Sequence, residues 1–160
     1  MKIYSFLQNN KIEYKKFDHQ AVFTCEEAEQ LCPRMSGEPT KNLFLKSKAG
    51  DYFLIILKKS KRADLKCLAE ELKTTKLSFG SPQELKNYLG IEPGAVTLLA
   101  LINDPERKIK LVVDNELQGQ AIQCHPLVNT STLVISPEGI EIFLRAVSHE
   151  AVFVKIPTVG

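Results

Sequence analysis

What this chain lacks narrows its class. Its longest uninterrupted apolar run covers residues 53–57, far too short to span a bilayer. The opening Met1-Lys2-Ile3-Tyr4-Ser5 leads into polar residues with no secretory apolar stretch, so a cytoplasmic protein without membrane association is expected. The four cysteines, Cys25, Cys32, Cys67 and Cys124, match no zinc or redox spacing and read as small buried hydrophobes. Catalytic signatures are missing too: there is no Gly-x-Ser-x-Gly, no Walker-type loop, no His-Glu-x-x-His and no pair of acids set for acid–base work. None of the histidines, His19, His125 and His149, has a ligand-like neighbour at short spacing. Neither a metal nor an organic cofactor is expected, and no side-chain nucleophile is supported.

What is present fits one soluble globular domain over residues 1–160, with 44% apolar and 25% charged residues. The net charge of +2 does not mark a nucleic-acid binder, but its distribution is uneven. Residues 41–76 hold ten of the 21 Lys and Arg residues against four acids, a local charge of +6. Lys58, Lys59, Lys61 and Arg62 form the densest part, readable as a solvated turn or as a phosphate contact.

Periodicity supplies the elements. Ile3, Phe6 and Leu7 share one helical face, and an extended run follows at 12–17. Thr24-Cys25-Glu26-Glu27 is a capping box that starts a helix running to about residue 31, where Pro33 stops it. Extended runs at 41–46 and 52–58 flank the turn residues 48–51, predicting a hairpin whose second strand is apolar enough to be covered on both faces. Leu65, Leu68, Ala69 and Leu72 mark an amphipathic helix. Ser81-Pro82-Gln83-Glu84 is a second capping box with proline at the first helical position, and Gly90 is placed to stop that helix. An apolar run follows at 96–102, then strands at 109–113, 121–124 and 132–135, a helix opened by Ser136-Pro137, and a last strand at 151–156. This irregular alternation predicts α+β architecture with a mixed, strongly curved, barrel-like sheet flanked by helices.

Three short stretches are the candidates for chemistry. Gly90-Ile91-Glu92-Pro93-Gly94-Ala95-Val96-Thr97 is glycine- and proline-rich, so it exposes main-chain N–H groups of the kind that hold an anion or oxyanion. On spacing alone, a turn that merely ends a helix is the favoured reading. The other two are Lys41-Asn42-Leu43-Phe44 and His125-Pro126-Leu127-Val128-Asn129-Thr130.

Together with Asp18-His19-Gln20-Ala21-Val22-Phe23-Thr24, these stretches resemble the YbaK/ProX family of trans-acting aminoacyl-tRNA deacylases. The Lys-Asn pair and the His-Pro-x-x-Asn-Thr segment are most similar to the subgroup that removes alanine from mischarged tRNA(Pro). The resemblance spans essentially the whole chain and implies a second sieve. A synthetase pocket built for proline loses only about 1–3 kcal/mol on a smaller side chain, so a separate site must hydrolyse the alanyl ester while excluding the prolyl ring.

The resemblance further implies substrate-assisted hydrolysis, in which the 2′-hydroxyl of the terminal adenosine places the attacking water and the protein orients the ester. In that picture the N–H groups of Gly94, Ala95 and Val96 hold the ester carbonyl, Lys41 grips a phosphate near the terminal adenosine, Asn42 fixes the aminoacyl end or the local backbone, and His125 orients substrate or water. Pro93 and Thr97 belong to the same loop, and Val22 and Leu43 are pocket wall or core. The implied partners are the acceptor end of aminoacyl-tRNA(Pro) and, as a candidate, prolyl-tRNA synthetase. Two alternatives stay open: a deacylase for Cys-tRNA(Pro) or another small aminoacyl-tRNA, and a non-catalytic module that binds tRNA ends or a synthetase. One departure bears on pocket shape: where many relatives carry a proline after the Ser/Thr of the loop, this chain has Leu98.

Overall fold

The computed structural model describes residues 2–18 and 36–159. The expected helix at 24–31, His19, Val22, Cys25 and Cys32 lie outside the described residues. In chain order these contain α1 (Lys2–Asn9), β1 (Tyr14–Asp18), β2 (Thr40–Ser47), β3 (Tyr52–Lys58), α2 (Leu65–Glu71), β4 (Leu77–Phe79), α3 (Pro82–Leu89), a 3-10 turn (Pro93–Ala95), a 3-10 helix (Leu98–Asn103), β5 (Ile109–Asp114), a second 3-10 turn (Asn115–Leu117), β6 (Ile122–Cys124), β7 (Ser131–Ile135), α4 (Pro137–Ala146) and β8 (Ala151–Val154).

The strands form two sheets. One is three-stranded and antiparallel in the order β1-β7-β6; the other is five-stranded in the order β4-β2-β3-β5-β8. In the second sheet β4-β2-β3 run antiparallel, whereas β3-β5 and β5-β8 are parallel. The mixed α+β architecture is as expected, but the sheet does not close into a barrel. The two sheets are joined by a parallel bridge between Glu38 and Ile122, where Glu38 N–H donates to Ala121 and Gln123 N–H donates to Glu38, at 2.9 and 3.0 Å.

β3 explains the layering. Phe53, Leu54, Ile55, Ile56 and Leu57 are all buried, as a central strand covered on both faces requires. Leu54 and Ile56 face one core with Phe44, Ile3, Leu7, Leu89, Leu99 and Phe143. Phe53, Ile55 and Leu57 face a second, smaller core with Leu45, Leu68 and Leu77 under α2. Burying each such side chain contributes about 1.5–3 kcal/mol.

Local signals set the helix ends. Ser81 and Glu84 form the complete reciprocal capping box, and Gly90 closes α3 in the left-handed region at φ 67°. Ser136 caps α4 and Asp64 caps α2. The apolar run at 96–102 becomes the buried 3-10 helix, capped by the Thr97 hydroxyl accepting from Leu99 N–H. Leu98 is its first residue, where an N–H has no intrahelical acceptor, so a relative's proline fits the same geometry. Strand β4 was not expected from periodicity. Its return past β2 depends on Gly80, since a Cβ there would sit 2.3 Å from the Phe44 ring.

Candidate active site

The parallel bridge at Glu38 brings two of the three candidate stretches together. Thr40, at the head of β2, donates its hydroxyl to Gln123 carbonyl at 2.7 Å, so Lys41-Asn42 start beside the end of β6 and the Cys124-His125 that follows. The outer edge of β2 is thus divided: Glu38 and Thr40 bond to β6, and Leu45, Lys46 and Ser47 pair with β4. Among the described residues no strand pairs with that edge between Lys41 and Leu43.

Alternation sends the side chains of Lys41 and Asn42 to opposite faces. Asn42 lies opposite Ile56 and shares the face of Phe44 and Leu54, the face covered by the 3-10 helix after the glycine loop. Its Oδ1 is buried without a hydrogen-bond partner. An orphaned buried acceptor costs about 1–3 kcal/mol, and in a native site it points to a missing donor. Lys41 is half-buried at a strand head and makes no ion pair with a described residue. It faces the second core's side, opposite Leu57. Leu43, readable from the sequence as pocket wall or core, packs against that second core, one residue out of phase with Asn42.

His125 is fixed from β7. Its Nδ1 lies 3.0 Å from the Ser131 carbonyl, which can only accept, so Nδ1 carries the proton and Nε2 is the basic nitrogen of the neutral ring. Ser131 in turn donates its hydroxyl to Asp18 Oδ1 at 2.6 Å. Between His125 and Ser131 the chain turns through Leu127, whose φ of 70° is uncommon for a residue with a Cβ. Ser131 was not singled out from the sequence; nothing in its local pattern distinguishes it from any strand serine. The neighbouring Cys124 is a core thiol, pushed up to about 12 by burial and so unreactive.

The glycine loop supplies fewer donors than expected. Pro93–Ala95 is a 3-10 turn in which Ala95 N–H donates to Glu92 carbonyl at 2.9 Å, so that amide is already engaged. Gly94 N–H, in the first turn, has no intrahelical acceptor. Pro93 is exposed, and Val96 is half-buried against the first core. Thr97 is fully buried and its hydroxyl caps the 3-10 helix.

The basic turn divides likewise. Lys58 lies opposite Thr40, and Lys59 N–H donates to Pro39 carbonyl, which places both beside the head of β2. Lys61 points away, paired at 2.7 Å with the fully buried Asp114 and at 2.6 Å with Glu116. Burial alone pulls the Lys61 ammonium down, but the bonds to these two carboxylates outweigh it and hold the pKa above its usual value. The exposed Arg62 accepts Val159 N–H on its carbonyl, near the chain's other end. His149 is buried against Asp104, at 3.1 Å from its carbonyl, as a structural histidine. Among the described residues no three His, Cys, Asp or Glu side chains cluster as metal ligands, and no helix is long and apolar enough to cross a membrane.

The sequence profile described as aminoacyl-tRNA editing domain matches residues 19–142. The chain is 34% identical over 142 residues to the prolyl-tRNA editing protein ProX of Acetoanaerobium sticklandii, covering 88% of this chain and 87% of that protein. It is 35% identical over 153 residues to prolyl-tRNA synthetase associated domain-containing protein 1 of Danio rerio, covering 94% and 83%. Its fold superposes with a TM-score of 0.66 and 18% identity on a solved structure described as a candidate trans-editing enzyme for prolyl tRNA synthetase, over 92% of this chain and 87% of that one.

Proposed function

Because the chain belongs to the aminoacyl-tRNA editing domain family, we propose that it is a trans-editing hydrolase whose substrate is mischarged Ala-tRNA(Pro). The observation that carries this reading is the buried, unpartnered Asn42 Oδ1 beside the His125 segment. An aminoacyl ester brings a donor of the matching kind, its α-ammonium, and a charge-assisted bond there replaces the lost solvation of the amide.

The rest of the site follows from that anchor. With the ammonium at Asn42, the ester carbonyl is directed at Gly94 N–H, the amide that the turn leaves without an internal acceptor. Water adds to the carbonyl carbon, the substrate's own 2′-hydroxyl placing it. The 3′-oxygen leaves with a proton, giving alanine and free tRNA. His125, held by Ser131, lines the site and orients substrate or water. Lys41, leaving the other face of β2 through the unladdered edge, binds a phosphate near the terminal adenosine as a point charge. Lys58 extends that positive field, whereas Lys61 belongs to the Asp114 ion pair.

The functional unit is the single domain 1–160, since α1 contributes Ile3 and Leu7 to the first core and β8 extends the second sheet, both outside the matched 19–142. It acts in the cytoplasm, where tRNA is charged, with prolyl-tRNA synthetase as candidate partner. The test is hydrolysis of Ala-tRNA(Pro), Cys-tRNA(Pro) and Pro-tRNA(Pro) side by side, with and without chelator. Fastest release from Ala-tRNA(Pro), unaffected by chelator, is the expected result. Preference for Cys-tRNA(Pro) moves the assignment to a sister specificity, and tight binding without release makes the protein a binding module.

A further inference from the structure

Asn42 of β2, Ile56 of β3 and Val113 of β5 stand in one row across the second sheet, Asn42 directly opposite Ile56 and Ile56 beside Val113. Ile56 and Val113 pack in the first core, and residues directly opposed in an antiparallel ladder share a face, so the Asn42 amide is on that side too. Ile56 is fully buried. Behind it lies a cavity of about 70 Å³, lined by Ile56, Val113, Leu98, Leu117 and Ile122 among others. The cavity touches Ile56 and Val113 but not Asn42. In the order of the row, the Ile56 side chain therefore separates the orphaned Asn42 Oδ1 from the void.

The chemistry of the two esters says where a discriminating wall has to be. Alanyl and prolyl esters share the carbonyl and the α-carbon; the prolyl ring adds two methylenes that join the β-carbon to the nitrogen. A protonated prolyl nitrogen still carries two N–H groups, so an acceptor such as Asn42 Oδ1 does not by itself refuse it. What differs is that one of the added carbons is bonded to the nitrogen. Size exclusion of proline thus needs an apolar wall flush with the group that holds the nitrogen.

We propose that Ile56 is that wall, the specificity-determining residue that keeps the prolyl ring out. This rests on the deacylase reading, in which Asn42 Oδ1 accepts from the substrate's α-ammonium. Directly opposed Cβ atoms are about 4.5–5.5 Å apart, which leaves no gap for a ring carbon between the anchor and Ile56. A β-branched side chain is stiff at χ1, so it keeps its place in front of the void. Shortening it joins the void to the anchor and gives the ring somewhere to go. Leu43, the neighbouring apolar residue on β2, faces the second core and cannot serve.

The experiment measures kcat/KM for Ala-tRNA(Pro) and for Pro-tRNA(Pro) on single preparations of the parent, Ile56→Val, Ile56→Ala and Ile55→Val. The ratio of the two values does not depend on how much of a preparation is folded. Ile56→Ala is expected to lower the alanine-to-proline ratio at least about tenfold through faster prolyl hydrolysis, with Ile56→Val falling between it and the parent. Ile55→Val, one residue away on β3 and buried in the second core, should keep the parent ratio. A purely structural Ile56 would slow both esters together. The proposal is overturned if both Ile56 variants keep the parent ratio, or if Ile55→Val shifts it as far. A parent that cleaves neither ester defeats the deacylase reading and this assignment with it, whereas a parent that prefers alanine while the Ile56 variants keep its ratio defeats this assignment alone.

Discussion

Replacing Asn42 with leucine separates folding from function, because the two depend on its amide with opposite signs. In the folded chain the buried Oδ1 has no partner, which costs about 1–3 kcal/mol of desolvation. Leucine has the same branching at Cγ and the same number of side-chain heavy atoms, and suits the face that Asn42 shares with Phe44, Leu54 and Ile56, so no cavity penalty opposes the gain. We expect Asn42→Leu to be more stable by about 1–2 kcal/mol, which in a chain of this size raises Tm by roughly 2–8 °C. Catalysis moves the other way. A hydrogen bond to a charged group contributes about 1.5–3 kcal/mol, so its loss lowers kcat/KM for Ala-tRNA(Pro) roughly 10- to 150-fold. Thermal unfolding followed by circular dichroism and initial-rate deacylation check the two halves on one preparation. A variant that unfolds at lower temperature while hydrolysing normally would show that the amide serves the fold, and the reasoning from an orphaned acceptor would fail.

Lys41→Ala is expected to cut deacylation at least about tenfold with an unchanged melting curve, because a half-buried lysine with no ion pair among the described residues contributes little to the fold; unchanged turnover removes Lys41 from the site. Lys61→Ala is expected to leave turnover near normal but to destabilise the chain by about 3 kcal/mol, since it strands the fully buried Asp114, a loss read from denaturant unfolding. Acid sensitivity should trace to Glu84. Its bond to Lys46, then those to Tyr52 and Ser81, lower its pKa from 4.5 to about 2, while the same contact with Glu84 raises that of Tyr52. A carboxylate depressed on folding adds stability that is present above its unfolded pKa and lost as pH falls toward the folded one. The parent should therefore lose about 1–2 kcal/mol between pH 4.5 and 2 after allowance for solvent screening, and Glu84→Gln should flatten that slope; equal slopes in the two proteins refute the assignment.

How much of this was legible in the sequence depended on whether the signal was local. Capping boxes and apolar periodicity need only a few neighbouring residues, so α3, the β2–β3 hairpin and the start of α4 were readable to within a residue or two. Strand β4 carries only three residues and one buried side chain, Leu77, too little for a periodic signal; it exists because β2 offers an edge and Gly80 permits close approach. The run at 96–102 was readable as buried but not as 3-10 helix, since uniform burial erases the periodicity that distinguishes helix from strand. The site shows the same division. Residue types in the three motifs singled out Asn42 and His125 as candidates, but which amides are engaged is a property of turns: Ala95 N–H is taken by Glu92, and the Thr97 hydroxyl by Leu99. Charge density likewise grouped Lys61 with Lys58 and Lys59, whereas only the fold reveals Asp114 beneath it.

In the proposed function, Asn42, Gly94 and His125 receive an alanyl ester and exclude a prolyl one. The most direct test is the ratio of kcat/KM for Ala-tRNA(Pro) to that for Pro-tRNA(Pro), measured on the same tRNA with the same enzyme preparation. A ratio of at least about ten in favour of alanine is expected, set by size exclusion at the second sieve. Equal hydrolysis of the two esters contradicts it.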